Sequence, residues 1–220
     1  MLGVLTLTED LVLLALDDHS GRILPVDDIG YRHALAGAVL LDLALLGRLE
    51  NHHGDLRVAD PADTGETLLD GWRQTIEAET TPLEVRVWIA RLALAADQIE
   101  TAALTRLVQR GILEKQETNF LWVFETRRYP MLDGTEEKEV KRRICDVLLS
   151  DEEPSQADAI LVGLVDDARL LPHILSDAET RESARRVAQV RDMDVIGKEV
   201  ATVIEHLRLE MLQVLTQTHQ

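Results

Sequence analysis

Apolar residues recur at helical spacing along most of the chain, and strict alternation interrupts that pattern once. Thr8-Glu9-Asp10 ahead of the apolar run Leu11–Leu16 read as an N-cap and an acidic first turn. They open a short buried helix that Asp18-His19-Ser20-Gly21 ends. A second helix is predicted from about Val26 to Leu46, with Gly47 as its C-cap. Leu35, Val39, Asp42 and Leu46 share one face, and Leu40 and Leu43 widen the apolar sector. Asp55-LRVAD reads as a short strand or extended loop. Asp63-Thr64-Gly65-Glu66 opens a helix carrying Leu68, Leu69, Trp72 and Ile76. Pro82 begins another with Val85, Trp88, Ile89 and Leu92, and a further one runs from Gln98 to Arg110 and stops at Gly111.

The period then falls to two. Ile112–Gln116 and Asn119–Glu125 alternate like two strands around a polar Gln116–Asn119 connection, and Pro130 closes the unit. Phe120, Trp122 and Phe124 share one strand face, while Leu121 and Val123 share the other. Such a hairpin is either buried on both faces or offers one to a partner, a second copy or a lipid surface. Helical spacing resumes at Val140, Ile144, Val147 and Leu148. Pro154 stands at the start of a helix with Leu161, Val162, Leu164, Val165 and Ala168 on its apolar side. Asp177 to about Val190 places acids early and Arg185-Arg186 late, which suits the helix dipole. Val195 to Leu215 reads as a last amphipathic helix. The expectation is a mainly α chain, 1–220 forming a single compact helical domain with one inserted β-hairpin.

Composition changes this picture at one place. Four of the seven aromatic residues (Phe120, Trp122, Phe124 and Tyr129) fall in ten positions, next to Arg127-Arg128. The chain as a whole has a formal net charge of -17, which opposes a nucleic-acid partner. Positions 115–143 hold seven basic against six acidic residues, and pairs Glu137→Lys141 and Glu139→Arg143 at i,i+4 would neutralise part of that patch. Tryptophan with arginine is the combination expected at a lipid interface or a binding hot spot. The one cysteine, Cys145, excludes an internal disulfide and reads as a buried, inert thiol. The chain opens without a basic, apolar leader, and its longest nearly apolar run, Ala34 to Leu46, is too short to span a bilayer. The expected location is cytoplasmic, with any membrane contact peripheral.

Signals of catalysis are absent. The sequence has no phosphate-cradling glycine loop, no nucleophile elbow and no paired metal-ligand motif. His52-His53 are adjacent and do not share a helix face, so they read as a loop pair. Asp17-Asp18 and Asp166-Asp167 read equally well as paired acids or as solvated helix ends, and Trp72 and Trp88 read as core aromatics. Neither an enzyme nor a cofactor or metal is expected.

Five segments, in this order, resemble the Golgi phosphoprotein 3 family: Leu5-TLTEDLVLLALDDHSG, Leu43-ALLGRLE, Asp63-TGETLLD, Leu107-VQRGILEKQETNFLWVF and Arg128-YP. The resemblance covers nearly the whole chain, and the lack of a long basic N-terminal tail looks like the bacterial branch. It implies a mostly helical fold with one hairpin, here Ile112–Phe124, linked to membrane insertion and oligomer contacts. Eukaryotic members of the family are non-enzymatic peripheral adaptors that bind phosphatidylinositol 4-phosphate at the Golgi and the cytosolic tails of glycosyltransferases, so the resemblance implies a peripheral membrane adaptor. Counted from Gly47 and Gly111, the family's headgroup positions fall on Asp27, Ala36, Asp97 and Glu100. These are three acids and an alanine where a phosphate would need cations, although a short slip of the count brings in Arg32 or Arg106. The residues expected to meet a membrane or a second copy are Leu121, Trp122, Phe124, Arg127 and Arg128. The expected partners are therefore an anionic membrane lipid, with a phosphoinositide in view, and a protein or a second copy of the chain. The alternative reading is a soluble interaction module that oligomerises through its aromatic hairpin.

Overall fold

The computed structural model describes residues 4–18, 20–120, 124–150 and 153–191, and of 117–120 and 124–127 the backbone alone. Nine helices are present among them. They are α1 (Leu7–Leu14), α2 (Asp28–Leu45), α3 (Thr67–Glu77), α4 (Val85–Leu94), α5 (Ala96–Gln109), α6 (Thr135–Leu149), α7 (Gln156–Asp167), α8 (Leu171–Ile174) and α9 (Asp177–Arg191). The fold is mainly α, and the expected last helix, 195–215, lies outside the described residues.

The centre of the helical body is α1. Only eight residues long, it is buried along its whole length and packed by α2, α5, α6 and α7. A helix this short has little stability of its own, so its neighbours hold it. It begins two residues earlier than the sequence suggested. Thr6 is the N-cap: its hydroxyl accepts the Glu9 N–H at 3.1 Å, and the Glu9 carboxylate accepts the Thr6 N–H at 2.9 Å. Thr8, Glu9 and Asp10 therefore fall inside the buried first turn instead of forming a solvated start.

Asp42 of α2 completes that turn. One of its carboxylate oxygens accepts the Leu7 N–H at 2.7 Å; the other accepts the Thr8 N–H at 3.0 Å and the Thr8 hydroxyl at 2.7 Å. An acid on the apolar face of α2 thus supplies acceptors for amide groups that have no partner within α1. Around this point the buried apolar residues, from Leu7 to Val190, form one continuous cluster.

Two small antiparallel sheets are present where one hairpin was expected. The first comprises β1 (Leu49–His52), β2 (Asp55–Val58) and β3 (Leu83–Glu84), in that order. His53-Gly54 makes its two-residue turn, with Asn51 Oδ1 accepting the Gly54 N–H at 2.8 Å. Because β3 takes Leu83-Glu84, α4 starts at Val85, after the Pro82 start read from the sequence.

The second sheet pairs β4 (Gln116–Phe120) with β5 (Phe124–Arg128). Its strands lie further along the chain than the alternation suggested, so Gln116–Asn119 is strand and not turn. The reason is the demand of the core. Ile112 and Leu113 are buried, the Leu132 N–H donates to the Ile112 carbonyl at 3.1 Å, and the Glu114 N–H donates to the Pro130 carbonyl at 2.9 Å. The apolar pair is therefore the hairpin's root. The register beyond it sets Glu117 against Arg127 and Thr118 against Thr126.

Candidate functional site

Among the described residues β4 and β5 make their extensive contacts with each other and with no helix. Of the five residues expected to form the hairpin's contact surface, Leu121 and Trp122 lie outside the described residues. Phe124 and Arg127 are placed by backbone only, Phe124 opposite Phe120 and Arg127 opposite Glu117. Arg128 sits opposite Gln116 and is half-buried, and its Nε meets no hydrogen-bond acceptor among the described residues.

The root is held from the opposite side by the loop between α1 and α2. Gly21 has φ +62° and lies directly against the Tyr129–Pro130 backbone. A Cβ there would be 2.5 Å from Pro130 N and 2.6 Å from the Tyr129 carbonyl carbon, so no side chain fits without movement. The Tyr129 N–H donates to the Gly21 carbonyl at 2.7 Å. Next to this contact Lys141 of α6 pairs with Glu137 and, at 3.2 Å, with Asp18. At the other strand's root, Gly111 takes the left-handed conformation that ends α5, and the Ile112 N–H turns back to the Leu107 carbonyl at 3.0 Å.

The four headgroup positions do not form one pocket. Asp27 is the N-cap of α2 and accepts the Gly30 N–H at 3.2 Å. Ala36 is fully buried two turns further along the same helix, where no headgroup reaches. Asp97 and Glu100 come together at the start of α5 against the first turn of α2. Asp97 is paired with Arg32 at 2.7 Å. Glu100 lies beside the buried Tyr31; burial pushes its carboxyl up and, with Glu100's charge, also pushes up the Tyr31 phenol. A cation does stand in this region, but it is engaged by a carboxylate of its own chain. The sequence carried no sign of this pairing, because the two residues are 65 positions apart.

Arg106 is elsewhere, in the last turn of α5. Its Nε donates to Glu9 at 2.9 Å, and its two terminal nitrogens pair with Glu66. Arg110 reaches the other oxygen of Glu9 at 2.9 Å. The buried acids of α1 thus draw guanidinium groups inward. Arg143 obeys the same rule: it leaves the expected partner Glu139 and pairs with Asp10 at 2.9 Å and Asp158 at 2.7 Å, while Glu139 takes Arg142 at 2.6 Å. A charge buried without a partner costs several kcal/mol, so the core acid outcompetes the surface one. The patch is therefore less basic at the surface than a count of residues suggests. Asp166 and Asp167, read as paired acids or a solvated helix end, both hold Arg191.

Two further readings concern single residues. Trp88 is a buried core residue with the Arg91 guanidinium 5.1 Å from its ring centre, while Trp72 is partly buried. Cys145 is half-buried, and burial pushes its thiol up. Among the described residues no helix is long and apolar enough to cross a membrane.

Residues 7–207 match the family described as Golgi phosphoprotein 3 (GPP34). The chain is similar to the vacuolar protein sorting-associated protein 74 of Eremothecium gossypii, at 28% identity over 166 residues, 66% of this chain and 49% of that protein. The chain therefore spans about half the length of the curated relative it matches.

Proposed function

Because the chain belongs to the Golgi phosphoprotein 3 family, we propose that it is a peripheral membrane adaptor that meets anionic lipid through its β4–β5 hairpin. The observation that carries this reading is the pairing of β4 with β5 on either side of an aromatic sequence, with Arg127-Arg128 at the end of β5. Aromatic side chains at the level of the headgroups and arginines facing anionic lipid are the arrangement that holds a protein at an interface. The chemistry is attachment and positioning, without bond making. Selectivity for phosphatidylinositol 4-phosphate is weak in this proposal. A phosphomonoester needs free cations, and Arg32 is bound to Asp97 while Ala36 is buried.

Flotation with anionic vesicles, with and without phosphatidylinositol 4-phosphate, tests the proposal. Wild type is expected to float with both at low salt, and a Trp122→Ala, Phe124→Ala variant with neither. A wild-type protein that stays with no anionic vesicle at low salt ends the proposal. The net charge of -17 favours a second reading, in which the hairpin joins two copies of the chain away from lipid. Light scattering separates the two, because only in the second does the double variant turn an oligomer into a monomer.

A further inference from the structure

A cavity of about 350 Å³ lies between α1, α3 and α5. It lies further along α5 than the Arg32–Asp97 pair: its lining on that helix runs from Ala102 to Gln109, and Asp27, Ala36, Asp97 and Glu100 do not contribute to it. Its apolar lining includes Leu69, Ala102 and Ala103, and Glu9, Glu66 and Arg106 line it with their charges. We propose that this cavity binds a small aliphatic carboxylate, whose carboxyl group replaces Glu66 on Arg106 while its chain lies against Leu69, Ala102 and Ala103.

The three charged groups differ in how readily they can leave. The Glu9 side chain is 2% exposed and is held by Arg106, Arg110 and the Thr6 N–H, so it stays. Arg106 also stays, since its departure would leave a buried carboxylate with less compensation. A cationic ligand therefore has no group to replace. Glu66 is the exchangeable one. Its side chain is 22% exposed, it makes no capping bond to α3, and burial pushes its carboxyl up. Released, it reaches water. The terminal nitrogens of Arg106 then present a planar fork to an incoming carboxylate, with no change in the charge inside the site. A site of this size takes a short chain. A short fatty acid or the C-terminal carboxylate of a peptide with an aliphatic last residue would supply the same chemistry.

Titration calorimetry on the full chain tests the site with hexanoate and N-acetyl-leucine, set against hexanol and hexylamine. At least one of the carboxylates is expected to bind saturably, and the tighter of the two identifies the source. Hexanol and hexylamine should bind more weakly. Glu66→Gln removes the internal competitor and should tighten the carboxylate by about tenfold. Arg106→Gln should abolish the preference for it. Ala102→Phe should block the cavity while every ion pair stays in place, and it decides the matter if Arg106→Gln does not fold. The proposal is overturned if neither carboxylate binds wild type or Glu66→Gln, if hexylamine binds more tightly, or if Ala102→Phe binds as wild type does.

Discussion

The acids buried around α1 show how far a residue's chemistry depends on its neighbours. Asp10 and Asp42 are 1% and 5% exposed, and burial pushes each carboxyl up from 3.8 to about 6, against the opposing pull of Arg143 on Asp10 and of the Thr8 and Leu7 hydrogen bonds on Asp42. Between these two values the folded chain binds protons that the unfolded chain has released. The stabilisation from these groups is therefore complete below pH 3.8 and is lost as pH rises through 6. The upper bound is about 3 kcal/mol for each group. Asp10→Asn should flatten its share of that loss, seen as urea midpoints that differ less between pH 4 and pH 7 than in wild type. Equal pH dependence in the two proteins would show that Asp10 does not titrate in this range.

At the scale of elements, the hairpin is anchored by backbone contacts. Its root is fixed by Ile112 and Leu113 in the core, the Pro130 carbonyl on the Glu114 N–H, and Gly21 against Tyr129–Pro130. Gly21→Ala introduces a Cβ where both the left-handed φ and the 2.5 Å approach exclude one. The expected cost is about 2 kcal/mol or more, with the hairpin root as the place that yields. Thermal denaturation gives the first quantity, and limited proteolysis near Arg127-Arg128 reports the second. A variant as stable and as resistant as wild type would show that the loop and the hairpin adjust independently.

For the molecule as a whole, the balance of charge opposes the proposed location. A chain with net charge -17 and an isoelectric point near 4.7 is repelled by anionic lipid at neutral pH, so attachment has to come from a short-range contact. Lowering the pH toward the isoelectric point reduces that repulsion. Glu66, Glu100 and Glu137, all pushed up by burial, take up protons earlier than ordinary acids. Binding to anionic vesicles is thus expected to strengthen as pH falls from about 7.5 to 5.5. Flotation across that range checks it, and binding that weakens with acidification would exclude electrostatic repulsion as the controlling force.

Local pattern determined the helical class, the stops at Gly47 and Gly111 and the presence of an alternating aromatic unit after α5, because spacing and turn chemistry are properties of neighbouring residues. The five family segments are of the same kind. The pairing of distant parts was decided only by the tertiary structure. It moved the hairpin's strands to Gln116–Phe120 and Phe124–Arg128, because burying Ile112 and Leu113 outweighs continuing their alternation. It turned His53-Gly54 into a hairpin turn by bringing Leu49–His52 beside Asp55–Val58. It also assigned the cations: Arg32 to Asp97, Arg106 to Glu9 and Glu66, and Arg143 to Asp10. For Arg106 and Arg143 the physical reason is the same, since Glu9 and Asp10 are buried. A buried charge must find a counter-charge wherever the fold brings one within reach, and that distance is not written in sequence separation.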